Sequence, residues 1–232
     1  MSTVPFPVEK TGTVRQARAQ QRSQQLLRAA ARLMERDGSD TVSMQAVADE
    51  AGVSVGLIYR YFGGKNDLLL AVIIDVLDNF AVAVPAAVAA AGKDPVHQLS
   101  AAFRSYCEVI DEHRHAAVLT YRESKALTAE GRRKIKDLEV ATSEPLREIL
   151  RSGIAAGVFE PVDVDLVSYN LLLLTHAWAL KHWHFDGAFT LDGYIREQTA
   201  LALAALIAPS RRRSYSALLA IGVDPPRHRK QT

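Results

Sequence analysis

The stretch GVSVGLIYRYFGGKNDLLL, residues 52–70, places Tyr59, Arg60, Tyr61 and Phe62 side by side, directly before two glycines and Lys65. Large aromatic residues are normally buried, or are spaced at the helical period so that they share one buried face. Four consecutive residues cannot all lie on one face of a helix. We therefore expect some of these side chains to lie on the surface and to contact a partner.

The residues around this stretch predict a pair of short helices. Ser43 is a good N-cap for a helix over 44–50, and Gly52 ends that helix. Ser54 caps a second helix that runs to Tyr61. Two short helices joined by a turn with a central glycine are typical of a helix-turn-helix, and a preceding helix over 14–36 would complete a three-helix core.

The second short helix predicts a surface that binds DNA. If Leu57 or Ile58 shares the buried face with Phe62, the exposed residues are Val55, Gly56, Tyr59, Arg60 and Tyr61. The small first turn lets the backbone approach the floor of a groove. The tyrosine hydroxyls suit phosphate oxygens, and Arg60 suits either phosphate or guanine. Lys65, at the start of the next helix, suits a phosphate.

Residues upstream extend this surface. Arg15, Arg18 and Arg22 precede or open the first helix, and Gln45 opens the helix-turn-helix, so these side chains could hold the flanking phosphates. Three further arginines of the first helix are expected to form a solvated face: Arg28, Arg32 and Arg36.

The run LLRAAARLMERDGSDTVSMQAVADEAGVSVGLIYRYFGGKNDLLLAVI, residues 26–73, resembles the N-terminal domain of TetR-type bacterial transcriptional regulators. The resemblance lies in the alanines and glycine of the first helix, in VSMQAVADEAGVS, and in GLIYRYF followed by lysine and leucine. It implies base contacts at Val55, Gly56, Arg60 and Gln45. It also implies phosphate contacts at Ser43, Tyr59, Tyr61 and Lys65. Ala46 and Gly64 depart from the family pattern.

The rest of the chain also has a helical pattern, so the expected fold class is all-α. The candidate helices cover 95–110, 114–127, 131–156, 163–184 and 191–207, after a long helix that begins at Asn66 and is kinked or ended by Pro85. The expected domains are a flexible arm over 1–13, a helix-turn-helix domain over 14–65, a ligand-binding and dimerisation domain over 66–208, and a disordered tail over 209–232. That tail carries a net charge of +5, and the preceding 208 residues carry −3.

The segment 163–184 is apolar nearly all round, which predicts that it is covered on both sides. One expected side contains Tyr169, Leu172, Leu173, His176, Leu180 and Trp183. The other contains Leu171, Leu174, Trp178 and His182. One side would pack within the subunit and the other, together with helix 191–207, would form a four-helix interface in a homodimer.

A ligand pocket is expected among these helices. Its candidate lining residues are Phe103, Tyr106, Val118, Tyr121, Arg122, His176 and Trp178. Arg122 either forms a buried or interface ion pair, with Glu123 or another acid, or contacts an effector. The pattern VDVDLV…HAWALKHW resembles TetR-type regulators that respond to lipid-like ligands or acyl-CoA thioesters, which implies a small hydrophobic effector.

The sequence gives no support for an enzyme, a cofactor or a membrane protein. It has no glycine-rich phosphate loop or nucleophile elbow, and its one cysteine, Cys107, fits a core position. His113 with His115, and His182 with His184, are spaced i, i+2, so neither pair can chelate one metal ion from a helix. With no signal peptide or membrane span expected, we predict a cytoplasmic, homodimeric repressor that an effector releases from a near-palindromic operator in double-stranded DNA. The alternatives are an effector-independent DNA-binding protein and a metal-responsive regulator.

Overall fold

The computed structural model describes the backbone of residues 14–220 and the side chains of residues 20–220 other than Ser124. Over this range the fold is all-α, and the one non-helical backbone bridge joins Phe159 and Ile207. The helices are α1 (Val14–Asp37), α2 (Met44–Ala51), α3 (Val55–Phe62), α4 (Lys65–Ala90), α5 (Pro95–Glu112), α6 (Arg114–Arg122), α7 (Ala129–Thr142), α8 (Glu144–Ala155), α9 (Val164–Leu180), α10 (His182–Phe185), α11 (Leu191–Leu206) and α12 (Ser216–Leu219). The predicted arm over 1–13 and the end of the predicted tail, 221–232, lie outside the described residues.

The first three helices form the predicted helix-turn-helix unit. The Ser43 side chain accepts a hydrogen bond from the Ala46 amide and so caps α2. Gly52 ends α2 with φ 63°, a left-handed conformation that glycine adopts at little cost. Met44, Val47 and Ala48 of α2 and Ile58 and Phe62 of α3 are buried in the core that these helices share with α1 and the start of α4. The cap, the glycine turn and the shared core together set the orientation of α3 relative to α1 and α2.

Helix α4 belongs both to this unit and to the rest of the molecule. It packs against α1, α5, α6 and α7, and Pro85 lies inside it, so the prediction that Pro85 could end the helix is wrong. Contrary to the sequence-based expectation, α4 is long and apolar enough to cross a membrane. Its buried residues, from Leu68 to Val84, belong to the hydrophobic core. Its role as a core helix therefore explains its apolar character.

The helices after α4 surround α5, which packs against α4, α8, α9 and α11. Two predicted helices are divided in the structure. The segment 131–156 is interrupted at Ser143, just before Pro145, and the segment 163–184 is interrupted at Lys181. The segment 114–127 is helical to Arg122 and continues as a short 3₁₀ turn, Ser124–Ala126.

The prediction of a disordered tail from Pro209 is wrong for residues 209–219. A 3₁₀ helix, Pro209–Tyr215, leads directly into α12. The Tyr215 hydroxyl donates to Asp94 at 2.8 Å, and Arg212 donates to the carbonyl of Ala204 at 3.0 Å. These bonds attach the segment to the start of α5 and to the end of α11.

Candidate DNA-binding surface and effector site

The outer face of α3 carries the side chains that the sequence assigned to DNA. Ile58 and Phe62 are buried beneath it, whereas Gly56 and Arg60 are exposed. Tyr59 is 51% exposed and Tyr61 is 38% exposed. Val55 is half-buried at the start of the helix. The sequence left Leu57 and Ile58 as alternatives for the buried position, and the structure selects Ile58.

The two tyrosines lie on opposite sides of this face. Successive helix residues are about 100° apart, so Tyr59 and Tyr61 point about 200° apart, with Gly56 and Arg60 between them. The Arg60 guanidinium lies 6.0 Å from the centre of the Tyr61 ring, a cation–π distance. A central strip of one glycine and one arginine, between two hydroxyl-bearing side chains, suits a groove that has a phosphate backbone on each side.

Three of the predicted phosphate or base contacts have protein partners. The Lys65 ammonium donates to the Asp40 carbonyl at 2.7 Å, so it ties the start of α4 to the turn between α1 and α2. The Gln45 amide donates to Asp49 at 2.8 Å. Ser43 is exposed, but its oxygen also serves as the α2 cap. The cap at Ser43 was predicted from the sequence, whereas the structural tasks of Lys65 and Gln45 were not.

The arginines of α1 follow the expected division. Arg28, Arg32 and Arg36 are exposed and form ion pairs with Glu112, Glu50 and Asp37, respectively. Arg22 is exposed near the start of the helix. The side chains of Arg15 and Arg18 lie outside the described residues.

Tyr59→Phe is expected to weaken binding about tenfold on every duplex, because it removes a hydroxyl aimed at phosphate. The salt dependence of binding should be unchanged, since no cation is lost. Lys65→Ala should weaken binding and also lower the salt slope by about one unit. Titrations of a labelled duplex at several salt concentrations measure both effects.

Tyr215→Phe is the matched control, because Tyr215 bonds Asp94 at the start of α5 and not on α3. Lys65→Ala also removes the bond to Asp40, so its thermal unfolding must be measured beside the titration. A changed base preference in Tyr59→Phe would contradict the phosphate role.

Four aromatic rings connect α4, α5, α6 and α9 inside the second half of the molecule. Phe80 contacts both Tyr106 and His176, with ring centres 5.1 Å and 6.3 Å apart. The Tyr121 ring lies 5.7 Å from His176, and the Tyr121 hydroxyl lies 2.5 Å from its Nδ1. We call Phe80, Tyr106, Tyr121 and His176 the aromatic cluster. It brings three predicted ligand residues together through Phe80, which sequence reasoning missed although it follows Val76 at helical spacing.

The other predicted ligand residues do not join the aromatic cluster. Trp178 packs in a separate group with Tyr194 and Phe185, and its indole donates to Asp111 at 2.7 Å. Phe103 is buried and Val118 is half-buried. Arg122 is exposed and donates to the Glu35 carbonyl at 3.3 Å, and Glu123 accepts from Ser39. Within the subunit, Arg122 and Glu123 therefore have separate partners, and an ion pair of Arg122 across an interface stays a prediction.

His176 is a buried neutral imidazole. Burial lowers the pKa of His176 to about 4, and burial also raises the pKa of the Tyr121 phenol to about 12. The phenol therefore keeps its proton, and one hydrogen bond joins the Tyr121 hydroxyl to Nδ1 of the neutral His176 ring. This hydrogen bond is a polar contact between the half-exposed Tyr121 and the buried His176.

His176 should make the protein less stable in acid. Its pKa is lower in the folded chain than in the unfolded chain, so the stability that it contributes is present above about pH 6.5 and is lost as the pH falls towards 4. The full effect is about 3 kcal/mol. Urea unfolding between about pH 7 and pH 4.5 should show a smaller loss in His176→Asn, which keeps an acceptor but does not titrate. If the free energy of unfolding fell equally with pH in the wild type and in His176→Asn, His176 would not be the cause of the acid sensitivity.

A stripe of exposed apolar residues runs along α9. Leu166, Tyr169 and Leu173 are exposed, and Leu201 is exposed on the neighbouring helix α11. Leu172, His176 and Trp178 are instead buried inside the subunit. The predicted division of this helix into two sides was therefore wrong for Leu172 and His176, which do not share the exposed side with Leu173.

A cleft of about 250 Å³ lies elsewhere, between α1, α4 and the junction of α5 with α6. None of the seven predicted ligand residues lines it. Among the described residues, no group of three or more His, Cys, Asp or Glu side chains could hold a metal ion. His113 and His115 face different carboxylates, Asp75 and Glu35.

Known proteins resemble the chain over both halves. Residues 26–72 match the model of the tetR family of bacterial regulatory proteins, and residues 92–206 match the tetracyclin repressor-like C-terminal domain. The transcriptional regulator HbdR of Aromatoleum sp. is 39% identical over 178 residues, which cover 77% of each chain. The transcriptional repressor KstR2 of Mycolicibacterium smegmatis is 29% identical over 72% of this chain and 80% of its own.

A solved structure of AibR, in complex with isovaleryl coenzyme A and operator DNA, has the same fold. It superposes with a TM-score of 0.65 at 24% identity and covers 78% of this chain and 97% of its own. The family match spans the exposed α3 face and the helical second half alike. The chain therefore belongs to the tetR family of bacterial regulatory proteins and is a DNA-binding transcriptional regulator.

Proposed function

We propose that the protein is a homodimeric repressor whose two α3 helices bind a near-palindromic operator and which a small hydrophobic effector releases. The observation that carries this proposal is the outer face of α3, where Tyr59, Arg60 and Tyr61 are exposed above the buried Ile58 and Phe62. Two such helices would enter successive major grooves about 34 Å apart. The repressor name of KstR2 supports the direction of regulation.

The proposed dimer face is the apolar stripe of α9 together with α11. Leu166, Leu173 and Leu201 are each more than two-fifths exposed. A helix with apolar residues on its outer face is stabilised when a partner covers that face. A second copy would present the same stripe, and the four helices would then form one bundle.

The proposed effector site is the aromatic cluster. Its buried rings suit an acyl chain, and Tyr121 is 44% exposed, so it places the cluster beside solvent. Arg122, the next residue of α6, is exposed and could approach an anionic head group. The complex of AibR with isovaleryl coenzyme A supports acyl-CoA thioesters as the effector class.

Selection of duplexes from a random pool by the full chain tests the DNA part of this proposal. The retained sequences should contain two inverted half-sites about one helical turn apart. A retained duplex with a fluorescent label then serves for release experiments. Short and medium acyl-CoA thioesters should release it, and free coenzyme A should not.

The remaining outcomes separate the alternatives. Release by none of the thioesters would overturn the effector class, and its absence across a broad ligand screen would favour an effector-independent protein. Release by Zn²⁺ alone would favour a metal-responsive regulator. Recovery of single half-sites would overturn the dimeric arrangement.

A further inference from the structure

The junction of α5 with α6 has the sequence DEHRH, residues 111–115, in which Asp111 and Glu112 end α5 and Arg114 and His115 begin α6. All five side chains contact another helix. Their partners are Trp178 of α9 for Asp111, Arg28 of α1 for Glu112, Asp75 of α4 for His113, His182 of α10 for Arg114, and Glu35 of α1 for His115. We call residues 111–115 the junction turn. Five consecutive residues thus connect four other helices.

Two of these contacts reach the helix that supports the DNA-binding surface. Glu112 forms an ion pair with Arg28, and the His115 imidazole bonds the Glu35 carboxylate. Arg28 and Glu35 are seven residues apart, so they lie two turns apart on the same face of α1. The junction turn therefore holds α1 at two points along its length.

Two other contacts reach the end of α9 and the start of α10, beyond the proposed effector site. The Trp178 indole donates to Asp111 at 2.7 Å, and Arg114 contacts Nε2 of His182. Nε of Arg114 also lies 3.8 Å from Oδ1 of Asp111, so an ion pair links the two residues that make these contacts. Nδ1 of His182 is buried without a hydrogen-bond partner, which leaves the Arg114 contact as the polar attachment of that ring.

The fifth contact fixes the turn to the core. The His113 side chain is buried, and its Nδ1 lies 3.7 Å from Asp75 of α4. Burial lowers the pKa of His113 and raises the pKa of Asp75. The charged groups that face this pair are Asp78 of α4, Glu112 of the turn and Arg28 of α1.

Packing around the turn is incomplete on the side of α1. The cleft of about 250 Å³ opens there, and its walls include Arg28 and Arg32 of α1 as well as Asp111–Ala116. Close-packed interfaces transmit displacement through their atoms, whereas a cleft interrupts that contact. At the cleft margin, the side-chain bonds are therefore a route by which a displacement of the turn reaches this part of α1, beside the direct packing of α6 on α1.

We infer that the junction turn makes the position of α1 depend on the position of α9, through Trp178–Asp111 on one side and Glu112–Arg28 on the other. This inference rests on the proposed function of DNA binding. Coupling between two sites is reciprocal, so DNA bound at α3 must also alter the surroundings of Trp178. That consequence can be measured without any effector.

Fluorescence of Trp178 is the readout. The chain has two tryptophans, and Trp183 is 77% exposed, so Trp183→Phe leaves Trp178 as the sole indole. Saturation of this variant with a selected duplex should shift or quench the Trp178 emission. In Trp183→Phe/Glu112→Gln the same saturation should leave the emission unchanged.

Glu108→Gln in the Trp183→Phe background is the matched control. Glu108 lies one turn before Glu112 on α5, is similarly exposed, and pairs with Arg104 of its own helix. This control should keep the emission change. The exchange Arg28→Glu/Glu112→Arg should restore a change that Glu112→Gln loses. Arg28→Gln tests the same pair from α1 if Glu112→Gln unfolds.

The labelled duplex reports binding independently by its anisotropy. A bound duplex with unchanged Trp178 emission in Trp183→Phe would overturn the inference and leave the proposed function intact. Equal emission changes in the Glu112→Gln and Glu108→Gln proteins would also overturn it. If the duplex does not bind at all, the proposed function fails together with the inference.

Discussion

Leu173→Glu is expected to convert the dimer into folded monomers and to lower operator affinity by about two to four orders of magnitude. Leu173 is 41% exposed at the C-terminal end of the α9 stripe, where a second copy would bury it. A carboxylate buried without a partner costs several kcal/mol, which is enough to dissociate the proposed bundle. A monomer binds one half-site at a time and loses the high effective concentration of its second α3 helix. Light scattering and operator titration measure the two effects.

Val82→Glu is the matched control for this change. Val82 is an exposed aliphatic residue of α4, outside the α9 stripe. We expect Val82→Glu to remain a dimer and to keep its operator affinity. A dimeric Leu173→Glu protein, or a monomeric Val82→Glu protein, would show that the subunits associate through another surface.

Trp178→Ala is expected to lower the free energy of unfolding by about 3–5 kcal/mol. Trp178 is only 4% exposed and packs against Tyr194 and Phe185. Its removal leaves a cavity and takes the indole donor from Asp111. Urea unfolding at a fixed protein concentration measures the loss.

Trp183→Ala is the same substitution at an exposed position five residues later. Surface substitutions usually change stability by about 0.5 kcal/mol or less. Losses of similar size in the two variants would show that Trp178 does not lie in the core as described.

The sequence predicted the helix-turn-helix well because its signals are local. Ser43 caps α2 and Gly52 ends it, whatever the remainder of the chain does. The burial of Phe62 also followed from spacing alone. The contact between Lys65 and the Asp40 carbonyl joins residues that are 25 positions apart, and no local pattern indicates it.

The second half was harder to predict, because its helices are covered on several sides and their apolar residues show no clear buried face. Helix α9 is apolar on almost every side, so spacing could not tell the exposed Leu173 from the buried Leu172. Pro85 was expected to kink or end α4. The helix instead continues past it to Ala90, and the neighbouring Val84 is buried in the core. The aromatic cluster depends on four helices meeting, which a linear pattern does not report.

Helix α3 commits few of its residues to folding. Ile58 and Phe62 are its buried residues, and the other six positions are exposed or half-buried. Substitutions at the exposed positions change stability little. Operator preference can therefore evolve while the fold stays intact. The helices of the proposed effector site have no such freedom, because a change at Phe80 or Tyr106 would alter the core packing together with the proposed recognition. A duplicated copy of this gene could therefore acquire a new operator in fewer viable steps than a new effector.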